Sequence, residues 1–301
     1  MENYLLAMAV FAGLYALMAL GLNVIWGLAG MVNLGLAGFF AVGAYASALL
    51  TVRLGWPIPV GWVAAAVAAA AVGVLVALVT ARLRGDYLAI VTLGFSEVVR
   101  LLASNEIWLT GGTDGISGIP GPGRAALSPI SYNLLYAGLV WAAVAVVGAL
   151  LARLSNAPFG RVLRAIREDE MVAAVAGKRT LLFKVQAFAV GAGVLGLAGG
   201  LYAHFNAYVA PDAFQPLVTI YVVLALTAGG TGRMAGAVLG AVLVVALQEG
   251  TRFGADLVPG VSPVQAAALR AGTIGAALIM VLHLRPNGVL PEFSRRYGGP
   301  T

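Results

Sequence analysis

Arg153-Leu-Ser-Asn-Ala-Pro-Phe-Gly-Arg-Val-Leu-Arg-Ala-Ile-Arg-Glu-Asp-Glu-Met-Val-Ala-Ala-Val-Ala-Gly177, continued by Lys178-Arg-Thr-Leu-Leu-Phe-Lys184, is a basic island in an apolar chain. Residues 153–184 hold seven basic side chains against the three acids Glu168, Asp169 and Glu170, a balance of +4. Long apolar runs flank the island on both sides. Of the 301 residues, 61% are hydrophobic and 10% charged, against roughly 25% charged in a soluble domain. A bilayer span takes about 20 mostly apolar residues, and lipid satisfies no unpaired backbone group, which leaves helices or a closed barrel. The runs are too long for barrel strands and do not alternate. The fold class is therefore all-α, a polytopic helical membrane protein, and residues 1–301 read as one membrane domain.

Working outward from the island, spans are expected near 5–22, 34–50, 62–80, 87–102, 134–151, 182–203, 217–228, 235–247 and 264–282, about eight or nine in all. The two short ones form either a hairpin or half-spans broken at Gly229-Gly-Thr-Gly232. The net charge of +6 divides between the island and the tail, where Arg285, Arg295 and Arg296 oppose Glu292. An excess of Lys and Arg in loops marks the cytoplasmic side, so both lie inside, Arg82 and Arg84 with them, and the N-terminus lies outside. That leaves Arg53 and Arg124 outside, against the rule. The charge needs no nucleic-acid partner. Met1-Glu-Asn-Tyr4 lacks the basic start of a signal peptide, so the first apolar segment is expected to be retained.

Most chemistry is excluded by residue type or context. The chain has no cysteine, hence no disulfide, thiolate metal site or cysteine nucleophile. His204 and His283 end helices expected on opposite membrane faces, too far apart to share a metal, and a lone histidine at a helix end is usually interfacial. No catalytic residue and no cofactor is assigned. Gly191-Ala-Gly-Val-Leu-Gly196 and Gly230-Thr-Gly-Arg-Met-Ala235 match the dinucleotide pattern in letters, but that pattern needs a preceding strand. Within apolar helices, Gly196 with Gly200 and Gly236 with Gly240 read instead as small-residue packing. No P-loop exists, so ATP has no phosphate cradle in this chain.

Three polar features remain. Glu97 and Arg100, three apart on the fourth span, share a face and can pair. They either line a polar pathway or snorkel to the outer interface. Residues 105–132 contain Thr110-Gly-Gly-Thr-Asp-Gly-Ile-Ser-Gly-Ile-Pro-Gly-Pro-Gly123, an irregular external segment that is either a connector or a docking lip. The island itself is designed. Ser155 or Asn156 can cap a helix begun by Pro158, with Phe159, Val162, Leu163 and Ile166 on one face and Arg161 and Arg164 beside it. Asp169 can cap a second, short helix through Val172, Ala173 and Ala174 that Gly177 ends. Such a hairpin either lies on anionic lipid or inserts its short helix into a partner's groove. The run Glu168-Asp-Glu170 opposes plain lipid binding.

The segment 165–177 resembles the cytoplasmic coupling-loop motif of ABC importer permeases of the branched-chain amino acid family. Asn33-Leu-Gly-Leu-Ala-Gly-Phe-Phe-Ala-Val-Gly-Ala-Tyr45, Arg84-Gly-Asp-Tyr-Leu-Ala-Ile-Val-Thr-Leu-Gly94, Leu109-Thr-Gly-Gly-Thr-Asp-Gly115, residues 229–241 and Leu284-Arg-Pro-Asn-Gly288 continue the likeness in order, toward the type lettered M. The resemblance implies a bacterial inner-membrane permease subunit working with a paralogous permease, two cytoplasmic ATP-binding subunits and a periplasmic substrate-binding protein. It also implies that the coupling helix, about residues 170–177, sits in a groove of the ATPase. On that reading Arg161, Arg164, Arg167, Glu168, Glu170, Ala173, Ala174 and Gly177 form the ATPase-coupling loop, and Glu97 and Arg100 are translocation-path residues. Lys178-Arg-Thr180 is more charged than the family usually is. The competing reading is a stand-alone secondary transporter or channel, which calls for a buried coupling carboxylate; Glu97 is the only fair candidate.

Overall fold

The computed structural model describes residues 2–80, 83 and 85–256, with scattered positions between 265 and 292. Among the described residues, seven helical segments are long and apolar enough to cross a bilayer. The first, α1 (Glu2–Leu22), runs directly into a π-helical turn, Asn23–Leu28. After an extended stretch come α2 (Leu36–Arg53), α3 (Ile58–Thr80) and α4 (Asp86–Asn105). A short α5 (Ile107–Thr110) precedes α6 (Pro129–Asn156), and the island forms α7 (Pro158–Glu168) and α8 (Glu170–Val175). The remaining helices are α9 (Thr180–Asn206), α10 (Pro216–Gly229) and α11 (Met234–Asp256). The two short spans expected from sequence are a hairpin: α10, extended by the 3-10 turn Pro211–Phe214, packs against α11 across Gly230–Arg233. The span expected at 264–282 lies mostly outside the described residues; the positions described within it are helical.

The core is built around α9, which lies against α1, α2 and α3. Lipid tails are as apolar as leucine, so close packing rather than water exclusion must hold membrane helices together. The sequence supplies small residues for it. On α3 the buried positions are Gly61, Ala65, Ala69, Gly73 and Ala77, one every four residues, while Val63, Val67, Leu75 and Val79 point outward. That stripe seats on α9, where a Cβ on Gly200 would stand 2.9 Å from Ala65 Cβ. A Cβ on Gly196 would collide with the Ala65 carbonyl and Ala69 Cβ on one side, and Gly43 of α2 presses on the same residue from the other. The glycine pattern of residues 191–196 is thus a helix-crossing surface, as expected. Leucine at Gly196 would force α2 and α3 off α9, at a cost of about 3 kcal/mol. Gly196→Leu should lower the thermal midpoint of the detergent-solubilised protein and reduce its folded yield; an unchanged melting curve would refute this packing.

The external segment is more ordered than its glycines and prolines suggest. Ile116–Ser117 pairs antiparallel with Tyr208–Val209, and Ile119 is buried and donates to the Ala207 carbonyl at 3.2 Å. His204 anchors it. At the end of α9 its ring is fully buried, with Nδ1 2.6 Å from the Pro120 carbonyl and Nε2 2.9 Å from Ser47 Oγ. A carbonyl only accepts, so Nδ1 carries the proton and Nε2 accepts from the Ser47 hydroxyl. Arg124 adds a bond to the Phe205 carbonyl and lies 4.8 Å from the centre of the Tyr132 ring. Arg53 donates to the Trp108 and Leu109 carbonyls at 2.7 Å each. These two arginines, which the charge rule left on the wrong side, both bind backbone carbonyls at this end of the bundle.

Candidate functional site

At the opposite end of the bundle the island folds into a rigid lever. Pro158 starts α7, where its fixed φ suits the first turn and its missing N–H costs nothing. The N-cap is Ala157 in extended conformation, with no side-chain cap; Ser155 and Asn156, the expected caps, do not serve. The Ser155 hydroxyl instead accepts from Arg164 Nη2 at 2.7 Å. Leu163 and Ile166 are buried beneath α7, and the Phe159 ring meets Phe183 of α9 at 5.7 Å between centroids. Asp169 caps α8 as its position implied, its carboxylate accepting from the Met171 and Val172 amides at 2.8 and 3.1 Å. Gly177 ends it at φ +77°, a left-handed conformation that side chains with a Cβ resist.

One ion pair fixes α8 to the membrane helices. Lys184, on the first turns of α9, reaches Glu170 at 2.6 Å, with side-chain exposures of 11% and 29%. Beyond that tether α8 turns apolar side chains outward: Met171, Val172 and Val175 are 65%, 64% and 84% exposed. Ala174, Glu168 and Arg161 are exposed too, whereas Ala173 is buried. Between α7 and α8 lies a groove of about 510 Å³, lined by residues including Arg161, Val162, Ala165, Asp169 and Val172.

Arg164 and Arg167 turn the other way. Arg164 Nε donates to Glu292 Oε1 and Arg167 Nη2 to Glu292 Oε2, both at 2.9 Å, and Arg167 also bonds the Gly27 carbonyl. The structure therefore splits the expected coupling set between an outward face and an inward clasp. Glu292, Gly27 and the pairing role of Lys184 were not found from sequence. Their partners lie 128, 140 and 14 positions away, beyond the reach of any helical periodicity.

In the membrane, α4 rests chiefly on α2 and carries the second candidate cluster. Arg100 Nε lies 3.0 Å from both Glu97 oxygens, with side-chain exposures of 24% and 37%. At 1.5 Å per residue, Glu97 stands about 16 Å along α4 from Asp86, close to its middle. The guanidinium leans back along α4 onto Glu97 rather than outward. Polar groups continue toward the cytoplasm. Thr92 Oγ1 accepts from the Leu34 amide at 3.0 Å, and Asn33 Oδ1 accepts from the Gly35 amide at 2.8 Å at the start of α2. Asn33 is fully buried and its Nδ2 has no hydrogen-bond partner among the described residues.

A bundle of spanning helices around a small-residue core, with an ordered helical pair at one end and an ion pair midway along α4, is the architecture of a multi-pass membrane protein. The model of the branched-chain amino acid transport system permease component matches residues 4–282, and the chain belongs to that family and is a multi-pass inner-membrane protein. It is 33% identical over 305 residues to the high-affinity branched-chain amino acid transport system permease protein LivM of Salmonella typhimurium, and equally to that of Escherichia coli. Each alignment spans 94% of this chain and 69% of the relative. A probable branched-chain amino acid transport permease protein LivM of Methanocaldococcus jannaschii is 28% identical, over 93% of this chain and 91% of its own length.

Proposed function

We propose that this chain is the membrane subunit of an ATP-driven importer of branched-chain amino acids, and that α8 is the element through which separate ATPases drive it. The observation that carries the reading is the construction of α8. It is a six-residue helix, capped by Asp169, stopped by Gly177 and pinned by Lys184, yet it holds three large apolar side chains with nothing over them among the described residues. Exposed apolar surface on an otherwise polar element marks a contact with another protein. Glu168, Asp169 and Glu170 make anionic lipid a poor candidate for that contact. The chain offers no phosphate cradle, so hydrolysis belongs to the partner: two ATP-binding subunits beneath a pair of permeases, this one and a paralogue, with a periplasmic binding protein supplying leucine, isoleucine or valine.

Glu97 and Arg100 support the pairing of permeases. A half-exposed ion pair at mid-span is costly against lipid, so a second subunit or an aqueous route belongs on that side of α4. Purification from the native membrane in mild detergent, with mass spectrometry of what co-elutes, is the test. An ATPase and a second permease are expected. Recovery of this chain alone, active in ATP-free proteoliposomes, would establish a secondary transporter instead.

A further inference from the structure

The inward clasp has no place in the docking of α8, and it joins α7 to a segment far from it in sequence that lies along the α10–α11 turn. Gly288, Val289, Leu290 and Glu292 lie along the turn between α10 and α11. The Val289 amide donates to the Ala228 carbonyl and the Leu290 amide to the Gly229 carbonyl, both at 2.9 Å. A Cβ on Gly288 would stand 2.5 Å from Gly230 Cα, and one on Gly232 would stand 2.5 Å from Glu292 Oε2, so the two backbones touch at Gly288 and Gly230 and the Glu292 side chain lies directly on Gly232. The same turn grips the first span, because the Gly232 amide donates to Asn23 Oδ1 at 2.8 Å, and Asn23 Nδ2 is 3.4 Å from Met234 Sδ. Asn23 opens the π-turn and Gly27 lies within it. An inserted side chain is a recognised cause of such a break in the helical ladder.

We propose that Glu292 is a positioning residue for energy coupling: its carboxylate ties Arg164 and Arg167 of α7 to the segment lying along the α10–α11 turn and holds Arg167 where it bonds the π-turn of α1, so that all three move as one body when α8 is displaced. This rests on the reading of α8 as the ATPase contact. Covalently, α7 is joined only to α6 and α8. Without the clasp a push on α8 reaches the bundle through α6, through α9 and through the underside of α7, which touches the π-turn. With it the push also reaches the α10–α11 turn directly. The geometry suits a load-bearing tie more than a static brace. Ion pairs this exposed add little to stability. Two guanidiniums on one carboxylate, however, each held by a further bond to Ser155 or to the Gly27 carbonyl, have a fixed direction.

The test is Glu292→Gln in the complete complex reconstituted in liposomes, with ATP hydrolysis and uptake of tritiated leucine measured on the same vesicles. Hydrolysis should persist while leucine moved per ATP falls about tenfold, the scale expected when a charged acceptor becomes neutral. An unchanged ratio would overturn the proposal. So would parallel loss of hydrolysis and uptake in an assembled complex, which would make the tail a docking element. If the variant does not assemble, Arg164→Cys with Glu292→Cys takes its place, since the chain has no native cysteine. Bridging that pair with a short bis-thiosulfonate should restore the ratio, and failure to restore it counts against the tie. Wild-type vesicles that take up leucine without ATP would refute the importer reading itself, a separate outcome visible before any variant is made.

Discussion

Glu170→Lys is expected to cut ATP-driven uptake at least about thirtyfold while the chain still inserts and stays intact in the membrane. Glu170 does two things at the start of α8. Its negative charge faces the positive end of a helix, and it neutralises a Lys184 side chain only 11% exposed. Lysine at 170 reverses the first and places two ammonium groups together in the second. Breaking a buried pair by removing one partner costs about 3–5 kcal/mol. Glu170 is 29% exposed, so solvent screening reduces that to about 2 kcal/mol, which is still about thirtyfold in an equilibrium. The energy falls on the orientation of α8 rather than on the bundle, whose core lies elsewhere. Gly177→Val should give the same phenotype by another route, since a β-branched residue at φ +77° is strained by about 1–2 kcal/mol or more. Uptake in intact cells, beside immunoblots of membrane content and recovery of the ATPase with the purified chain, measures both. Wild-type uptake in the two variants would sink the proposed role of α8.

That these two residues could be chosen from the sequence shows which interactions a sequence exposes. The Asp169 cap and the Gly177 stop are made within three residues of themselves, so residue type and spacing determine them. The glycines at 196 and 200 were legible because close helix approach in lipid demands small side chains wherever it occurs; the matching stripe on α3 emerged only from the structure. The α7 cap failed on a competition: Ser155 had two possible partners, and the Arg164 guanidinium, nine residues on, won it from the helix terminus. The π-turn had no local signal, and Asn23 at its start engages a turn 209 positions away. The burial of His204 was likewise not legible, its partners Ser47 and Pro120 belonging to a different helix and to a loop. The split of Arg161, Arg164 and Arg167 into outward and inward groups depends on where the tail lies. Helical spacing places Arg164 and Arg167 together, but says nothing of the carboxylate they share.

Arg100→Ala is expected to have the other large effect, a fall in uptake of about a hundredfold or more. The substitution leaves the Glu97 carboxylate alone about 16 Å into α4. An unpaired charge there costs about 3 kcal/mol on insertion scales, and that alone would disturb the span whatever the pair does. The informative variant removes both charges. In Glu97→Gln with Arg100→Gln the electrostatic penalty is gone and a hydrogen bond between the two amides remains possible. If the pair serves only to neutralise itself against lipid or a neighbouring subunit, this double variant inserts, assembles and transports normally. If the pair lines the route, the double variant inserts and assembles, yet uptake stays about tenfold or more below wild type, because a zwitterionic substrate then meets no charge of either sign at mid-span. Comparing the single and double variants in one uptake assay, with membrane content measured alongside, separates the two. The exposure of both side chains on a thinly packed helix, and the Asn33 amide left unpaired on the cytoplasmic side of the same helix pair, favour the second outcome. Full uptake in the double variant would reduce Glu97 and Arg100 to a structural pair and move the search for the route to the Asn33–Thr92 end of the α2–α4 interface.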